Sequence, residues 1–195
     1  MKINILIPYK EQFDEQKLSS VAITILNNFN HSKFKKNIRI FGRKVKNPAK
    51  VNNFIPINNS INFLKSKNIH LAEQMCNQIN KDNDPKQLIE IHNRPVLFHY
   101  VIKKLKINLP VTIFFHNNPL EMSGSKTILE RKKILENARE ILCVSEYIKK
   151  KFLTGINYNP ANVSVLYNGV DRNLKNFPLK KKEVLFVGRL VEEKG

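Results

Sequence analysis

Two stretches of this chain end an apolar run on the same dipeptide, IEIHNRP at 89–95 and IFFHNNP at 113–119. Imidazole and carboxamide are compact groups that bind hydroxyls, and imidazole exchanges protons near neutral pH. Each run reads as a buried strand. In an open parallel sheet, ligands bind beyond the carboxyl ends of the strands. The pattern therefore brings His92, Asn93, His116 and Asn117 to one edge. ILCVS adds Ser145 there, and VLYNG adds Asn168 and Gly169. Between the second His-Asn and the next helix lies MSGS, 122–125. Its Ser123, Gly124 and Ser125 are placed to cap that helix or to present backbone N–H groups to an anion.

Other chemistries lack their residues. The chain has no G-x-S-x-G elbow, no G-x-x-x-x-G-K-[ST] loop and no G-x-G-x-x-G. No two histidines stand four apart with a third ligand, so no metal site is expected. DND at 82–84 precedes a strand and is followed by Pro85. It reads as a turn on the opposite edge of the sheet.

The elements that must position these groups alternate. Apolar runs at INILIP, NIRIFG, QLIEIHN, PVTIFFHN, EILCVS, NVSVLYNG and EVLFVG read as strands, with a short one at FIPI. Leu18, Val21, Ala22, Ile25 and Phe29 recur at helical spacing, as do Leu71, Met75 and Ile79. Pro95 opens a third helix burying Leu97, Val101 and Leu105. A fourth is expected over 126–138 and a fifth at EYIKKKFL. Strands alternating with helices imply an α/β fold with a doubly wound, Rossmann-like, mostly parallel sheet of six or seven strands.

The chain has 195 residues, 42% of them hydrophobic, enough for a buried core. No apolar run reaches the ~18 residues of a membrane span. The opening MKINILIPYKEQ reads as a first strand and not as a signal peptide. Cys76 and Cys143 are isolated in apolar settings, as expected of reduced thiols in a cytoplasmic protein. The formal net charge of +18 favours an anionic partner. It is dispersed in clusters at Lys35-Lys36, Arg131-Lys132-Lys133, Lys149-Lys150-Lys151 and Lys180-Lys181-Lys182. A genome biased toward Lys, Asn and Ile would produce the same excess without function. Nucleic acid is not the expected partner, because no helix-turn-helix, zinc finger or aromatic RNA-binding signature accompanies the charge.

The closing VLFVGRLVEEKG, 184–195, resembles the start of the second domain of family-4 retaining glycosyltransferases of GT-B fold. In that family this segment lies in the interdomain cleft, and its arginine and lysine hold the donor diphosphate. The matching residues are Arg189 and Lys194. Guanidinium and ammonium can stabilise a leaving diphosphate without metal. AREILCVSEYIKKKF followed by VSVLYNGVD is similar to the family's first domain. FFHNNPLEMSGSKTILERKKIL resembles members that build lipopolysaccharide or related envelope glycans. In those, the histidine matching His116 lies near the transferred sugar. The likeness thins between 43 and 80. It also departs from the family after the first strand, where PYKEQFDEQKLSS carries no glycine in place of a glycine-rich loop.

The resemblance implies an N-terminal acceptor-binding domain over 1–170, a linker over 171–182 and the start of a nucleotide-sugar-binding domain over 183–195. The catalytic residue it implies is His116. The acceptor and sugar cleft would comprise His92, Asn93, Asn117, Ser123, Gly124, Ser145, Asn168 and Gly169, with Arg189 and Lys194 on the donor diphosphate. The partners implied are a nucleotide-diphosphate sugar, a glycolipid or glycan acceptor, and an anionic inner-membrane surface on which the protein is peripheral; no cofactor is implied. Since a domain needs ~100 residues, the chain is expected to be a fragment, inactive alone, with EVLFVG lacking its partner sheet. The alternatives are a non-catalytic sugar- or nucleotide-binding domain and a basic anion-binding domain for nucleic acid or membrane.

Overall fold

The computed structural model describes residues 1–58 and 65–169. In chain order these form β1 (Lys2–Leu6), α1 (Ser20–His31), β2 (Ile38–Arg43), β3 (Phe54–Ile57), α2 (Lys67–Asp82), β4 (Gln87–His92), α3 (Pro95–Lys104), β5 (Val111–Phe115), α4 (Ile128–Asn137), β6 (Glu140–Cys143), α5 (Glu146–Phe152) and β7 (Val163–Val165). The expected linker over 171–182 and the expected strand EVLFVG lie outside the described residues.

The sheet runs β3-β2-β1-β4-β5-β6-β7, and every neighbouring pair is parallel. This is the doubly wound, Rossmann-like order. The direction of winding reverses at β1, which pairs with both β2 and β4. β5, VTIFF, is buried along its whole length, as a central strand covered on both faces should be. α1 packs its Val21, Ala22, Ile25 and Phe29 against Ile5, Ile7, Ile38 and Ile40 on one face. The larger core lies on the other face, where side chains of α2, α3, α4 and α5 meet Leu6, Phe41, Ile91, Ile113, Phe115 and Ile141.

Four helices start where a hydroxyl accepts a backbone N–H: Ser19 for α1, Ser66 for α2, Thr127 for α4 and Ser145 for α5. α3 opens instead on Pro95, whose missing N–H costs nothing in a first turn. Helix α4 corrects one expectation. It begins at Ile128, because Thr127 and Glu130 form a reciprocal capping box. Ser123, Gly124 and Ser125 therefore do not cap it. Ser125 is buried and donates its hydroxyl to the Pro119 carbonyl at 2.6 Å, which folds the loop onto itself.

Two other expectations change. The last described strand stops at Val165, because its partner β6 ends at Cys143 and pairing runs out. Leu166 N–H makes the last bond to β6, at 2.9 Å from the Cys143 carbonyl, and the chain then turns away, with Asn168 Oδ1 within 3.4 Å of Thr24 Oγ1 on α1. Arg131 is not part of a surface cluster; it is 2% exposed. Its guanidinium donates to the carbonyls of Ser125 at 2.9 Å, Lys126 at 2.8 Å and Thr154 at 2.6 Å. The DND turn sits at the amino edge as expected. Asn83 takes the left-handed conformation that ends α2, and Asp82 accepts from Arg39 at 2.6 Å.

The loop after β1 has no glycine and is held from outside. Glu15 N–H donates to the Asn47 carbonyl at 2.8 Å and Ala49 N–H to the Phe13 carbonyl at 3.1 Å. Phe13 is buried and stacks on Phe54. A second chain segment, and not a glycine turn, thus sets the path of this loop.

Candidate functional site

β4 and β5 lie side by side, with His92 paired in register to Phe114. His116 follows two residues after Phe114, so its ring falls on the same face of the sheet. The three rings stack: centroids are 5.3 Å apart for His92 and Phe114, 4.6 Å for Phe114 and His116, and 5.1 Å for the two histidines. His92 Nδ1 and His116 Nε2 are hydrogen-bonded at 2.8 Å. The other nitrogen of His92, Nε2, bonds to Oε1 of Glu90, two residues back on the same strand face. His92 is wholly buried, and His116 is partly exposed at the carboxyl edge.

Burial, with a smaller contribution from the neighbouring His92, pushes the His116 pKa down to about 3. His116 is therefore neutral at pH 7, with one nitrogen a donor and the other an acceptor. The stability consequence has a definite sign. An unfolded histidine, with pKa ~6.5, binds a proton that the folded site rejects. This contribution is complete above pH ~6.5 and is lost as pH falls toward about 3. Melting of the chain followed from pH 7 to pH 4 is expected to show that decline. His116→Asn is expected to flatten it.

Asn93 sets the end of β5. Its backbone lies in the left-handed region, φ 54°, a region asparagine tolerates. Its N–H donates to the Phe114 carbonyl at 2.8 Å, and its Oδ1 accepts the N–H groups of His116 and Asn117, each at 3.3 Å. Asn93 thus fixes the backbone that carries His116. Its Nδ2 is buried and lacks a partner among the described residues.

A cavity of about 400 Å³ opens on this edge, between the first turns of α2 and α3 and the loop after β5. Ser66, Asn68, Arg94, Glu121 and Ser123 supply its polar lining. His92 and His116 do not line it. Nearby, the Tyr9 ring lies under two cations, with Arg43 at 5.2 Å and Lys67 at 5.0 Å from its centroid. Gly124 packs on the start of α3. It has φ +90°, and a Cβ there would stand 2.8 Å from the Val96 nitrogen. Its carbonyl accepts from His99 Nε2 at 2.9 Å. Gly124→Ala is therefore expected to destabilise the chain by about 1–3 kcal/mol through backbone strain, measurable by denaturant unfolding.

The residues named from sequence divide by place. His92, Asn93, His116 and Asn117 come together, while Ser123 lines the cavity beside them. Ser145 is occupied as the cap of α5, accepting from Ile148 N–H. Asn168 and Gly169 are exposed beyond the last described strand, toward α1. Arg189 and Lys194 lie outside the described residues. Glu90 escaped the sequence reading; its signal was an acid two positions before His92 in an otherwise apolar strand. Cys76 and Cys143 are buried free thiols whose pKa burial raises to about 12, so neither is a nucleophile near neutral pH. Among the described residues, no three His, Cys, Asp or Glu side chains are grouped to hold a metal ion. Nor is any helix among them long and apolar enough to cross a membrane.

Comparison with known proteins bears on what this edge serves. The sequence pattern of Glycosyltransferase Family 4 matches residues 38–174. A stretch amounting to 55% of the chain is 30% identical to "Putative glycosyltransferase YtcC" of Bacillus subtilis (strain 168). That stretch spans 30% of the relative's own length. The pattern covers the core strands from β2 to β7, and those strands adopt the doubly wound parallel order, so the chain belongs to glycosyltransferase family 4.

Proposed function

We propose that the chain is the N-terminal, acceptor-binding part of a retaining glycosyltransferase of hexosyltransferase type. It would move a sugar from a nucleotide diphosphate onto an envelope glycolipid or glycan acceptor such as lipopolysaccharide. The observation that carries this reading is the neutral imidazole of His116 at the carboxyl edge of a family-4 sheet, backed by a buried second histidine. A neutral imidazole can accept a hydrogen bond from a sugar hydroxyl as charge develops during transfer. The unpartnered Nδ2 of Asn93 is a buried donor that a bound hydroxyl would satisfy. Arg43, Lys67 and Arg94 gather positive charge at the same edge, suited to an anionic acceptor. Under this reading Arg189 and Lys194 hold the donor diphosphate and no metal takes part. The test is an assay of transfer from nucleotide-diphosphate sugars to lipopolysaccharide-type acceptors. It would use the 195-residue chain and the chain with any sequence encoded after it. Hydrolysis or transfer of a different donor class would overturn the reading.

The same reading places the protein on the inner face of the plasma membrane, held by its basic residues. A Lys or Arg near an acidic surface contributes about 1 kcal/mol, screened within ~10 Å at 0.1 M salt. Sedimentation with phosphatidylglycerol vesicles is expected at low salt and is expected to vanish as salt rises. Equal binding to neutral vesicles would show that the +18 charge does not serve docking.

A further inference from the structure

His92 cannot meet a substrate, because it has no exposed surface and both ring nitrogens are engaged inside the protein. What it does is join Glu90 to His116. Glu90 is partly shielded, its side chain 21% exposed, and its partners across the sheet are the uncharged Ile5 and Thr112. An ionised carboxylate only accepts, so the nitrogen facing Glu90 must carry the hydrogen. A singly protonated His92 then has its lone pair on Nδ1, and that nitrogen must accept. The atom opposite it is Nε2 of His116, which must therefore be the donor. The remaining nitrogen of His116, Nδ1, is left unprotonated and has no hydrogen-bond partner among the described residues.

We propose that Glu90 is a positioning residue: through His92 it holds His116 in the Nε2–H tautomer and leaves Nδ1 as the acceptor offered at the edge. Three polar groups, two on β4 and one on the residue that follows β5, thus form one directed chain of hydrogen bonds ending at His116. An acid inside an apolar strand is costly unless its hydrogen bonds are used, and here the use is orientation. Its consequence for transfer rests on the reading given above: the unprotonated Nδ1 would receive the substrate hydroxyl. A second proton on His92 would reverse the chain, turning Nδ1 of His92 into the donor and placing the hydrogen of His116 on Nδ1.

Nitrogen-15 NMR of the 195-residue chain distinguishes the two arrangements, since two-bond proton–nitrogen correlations report which ring nitrogen is protonated. The signals of His116 are identified by their loss in His116→Gln. At neutral pH the unmodified chain is expected to show His116 as a single Nε2–H tautomer. An Nδ1–H tautomer, or an average of the two, overturns the proposal. Glu90→Leu, of similar bulk, is expected to release His116 into an average of tautomers; an unchanged tautomer overturns it. Glu90→Gln keeps an acceptor oxygen and is expected to retain the Nε2–H form; averaging in this variant overturns it. If Glu90→Leu fails to fold, the unmodified chain and Glu90→Gln still decide. None of these spectra depends on the reaction catalysed. A tautomer as expected alongside full transfer by His116→Ala would sink the functional reading and leave the hydrogen-bond chain standing.

Discussion

If His116 serves sugar transfer as proposed above, replacing it by alanine in the transfer-competent protein is expected to lower the rate by about a hundredfold or more, with KM changing far less. The imidazole is the one group of the His92–His116 pair that reaches the edge of the sheet, and burial keeps it neutral. A group that meets the substrate hydroxyl as charge develops acts on the transition state and leaves ground-state binding little altered. The substitution also strands His92 Nδ1 without a partner, at a cost to folding of about 1–3 kcal/mol. Rates must therefore be compared well below the melting temperature of the variant. Transfer that stays within about threefold of the unmodified protein would remove His116 from the mechanism.

Arg131→Met is expected to destabilise the fold by about 3 kcal/mol, which for a domain of this size lowers Tm by about 6–12 °C. The guanidinium binds three backbone carbonyls, from Ser125, Lys126 and Thr154. It thereby joins the loop after β5 and the first turn of α4 to the end of α5. Methionine fills the volume but gives up three hydrogen bonds from a charged donor: the Ser125 carbonyl is left buried and unpaired at about 1–3 kcal/mol, and the carbonyls of the exposed residues Lys126 and Thr154 lose their donor at a smaller cost. Removing the buried charge returns part of that loss, since burial, offset in part by the nearby Glu130 carboxylate, holds the Arg131 pKa below its usual value. Lysine is not expected to rescue, because a single ammonium cannot span carbonyls on two elements as the planar fork does. Calorimetry showing a Tm within about 2 °C of the parent would mean that the three carbonyls find other donors. The loop concerned carries Gly124 and Ser123 against the start of α3, so the variant is also expected to loosen the cavity wall.

The sequence by itself determined the alternation of strands and helices, and with it the parallel sheet. Apolar runs such as VTIFF and spaced apolar residues such as Val21, Ile25 and Phe29 are local signals. Their burial is the main stabilising term, so period alone dictates the element. The sequence also determined that His92 and His116 share an edge, because parallel strands put all their carboxyl ends on one side. Only the tertiary structure decided which side chains touch. The 2.8 Å contact between the two histidines joins residues 24 apart in the chain, and it exists because β4 and β5 pair in one particular register. The choice of Thr127 over the serines of MSGS as a cap came from Glu130, which closes a reciprocal pair that those serines do not form. Arg131 reads as one of three consecutive basic residues, yet the loops on either side supply three carbonyls that draw it inside. Asn168 follows an apolar run, yet β6 is too short to pair with it, and it turns toward α1. Hydrophobic period is written within a few residues, whereas hydrogen-bond partners are chosen among groups that only packing brings together.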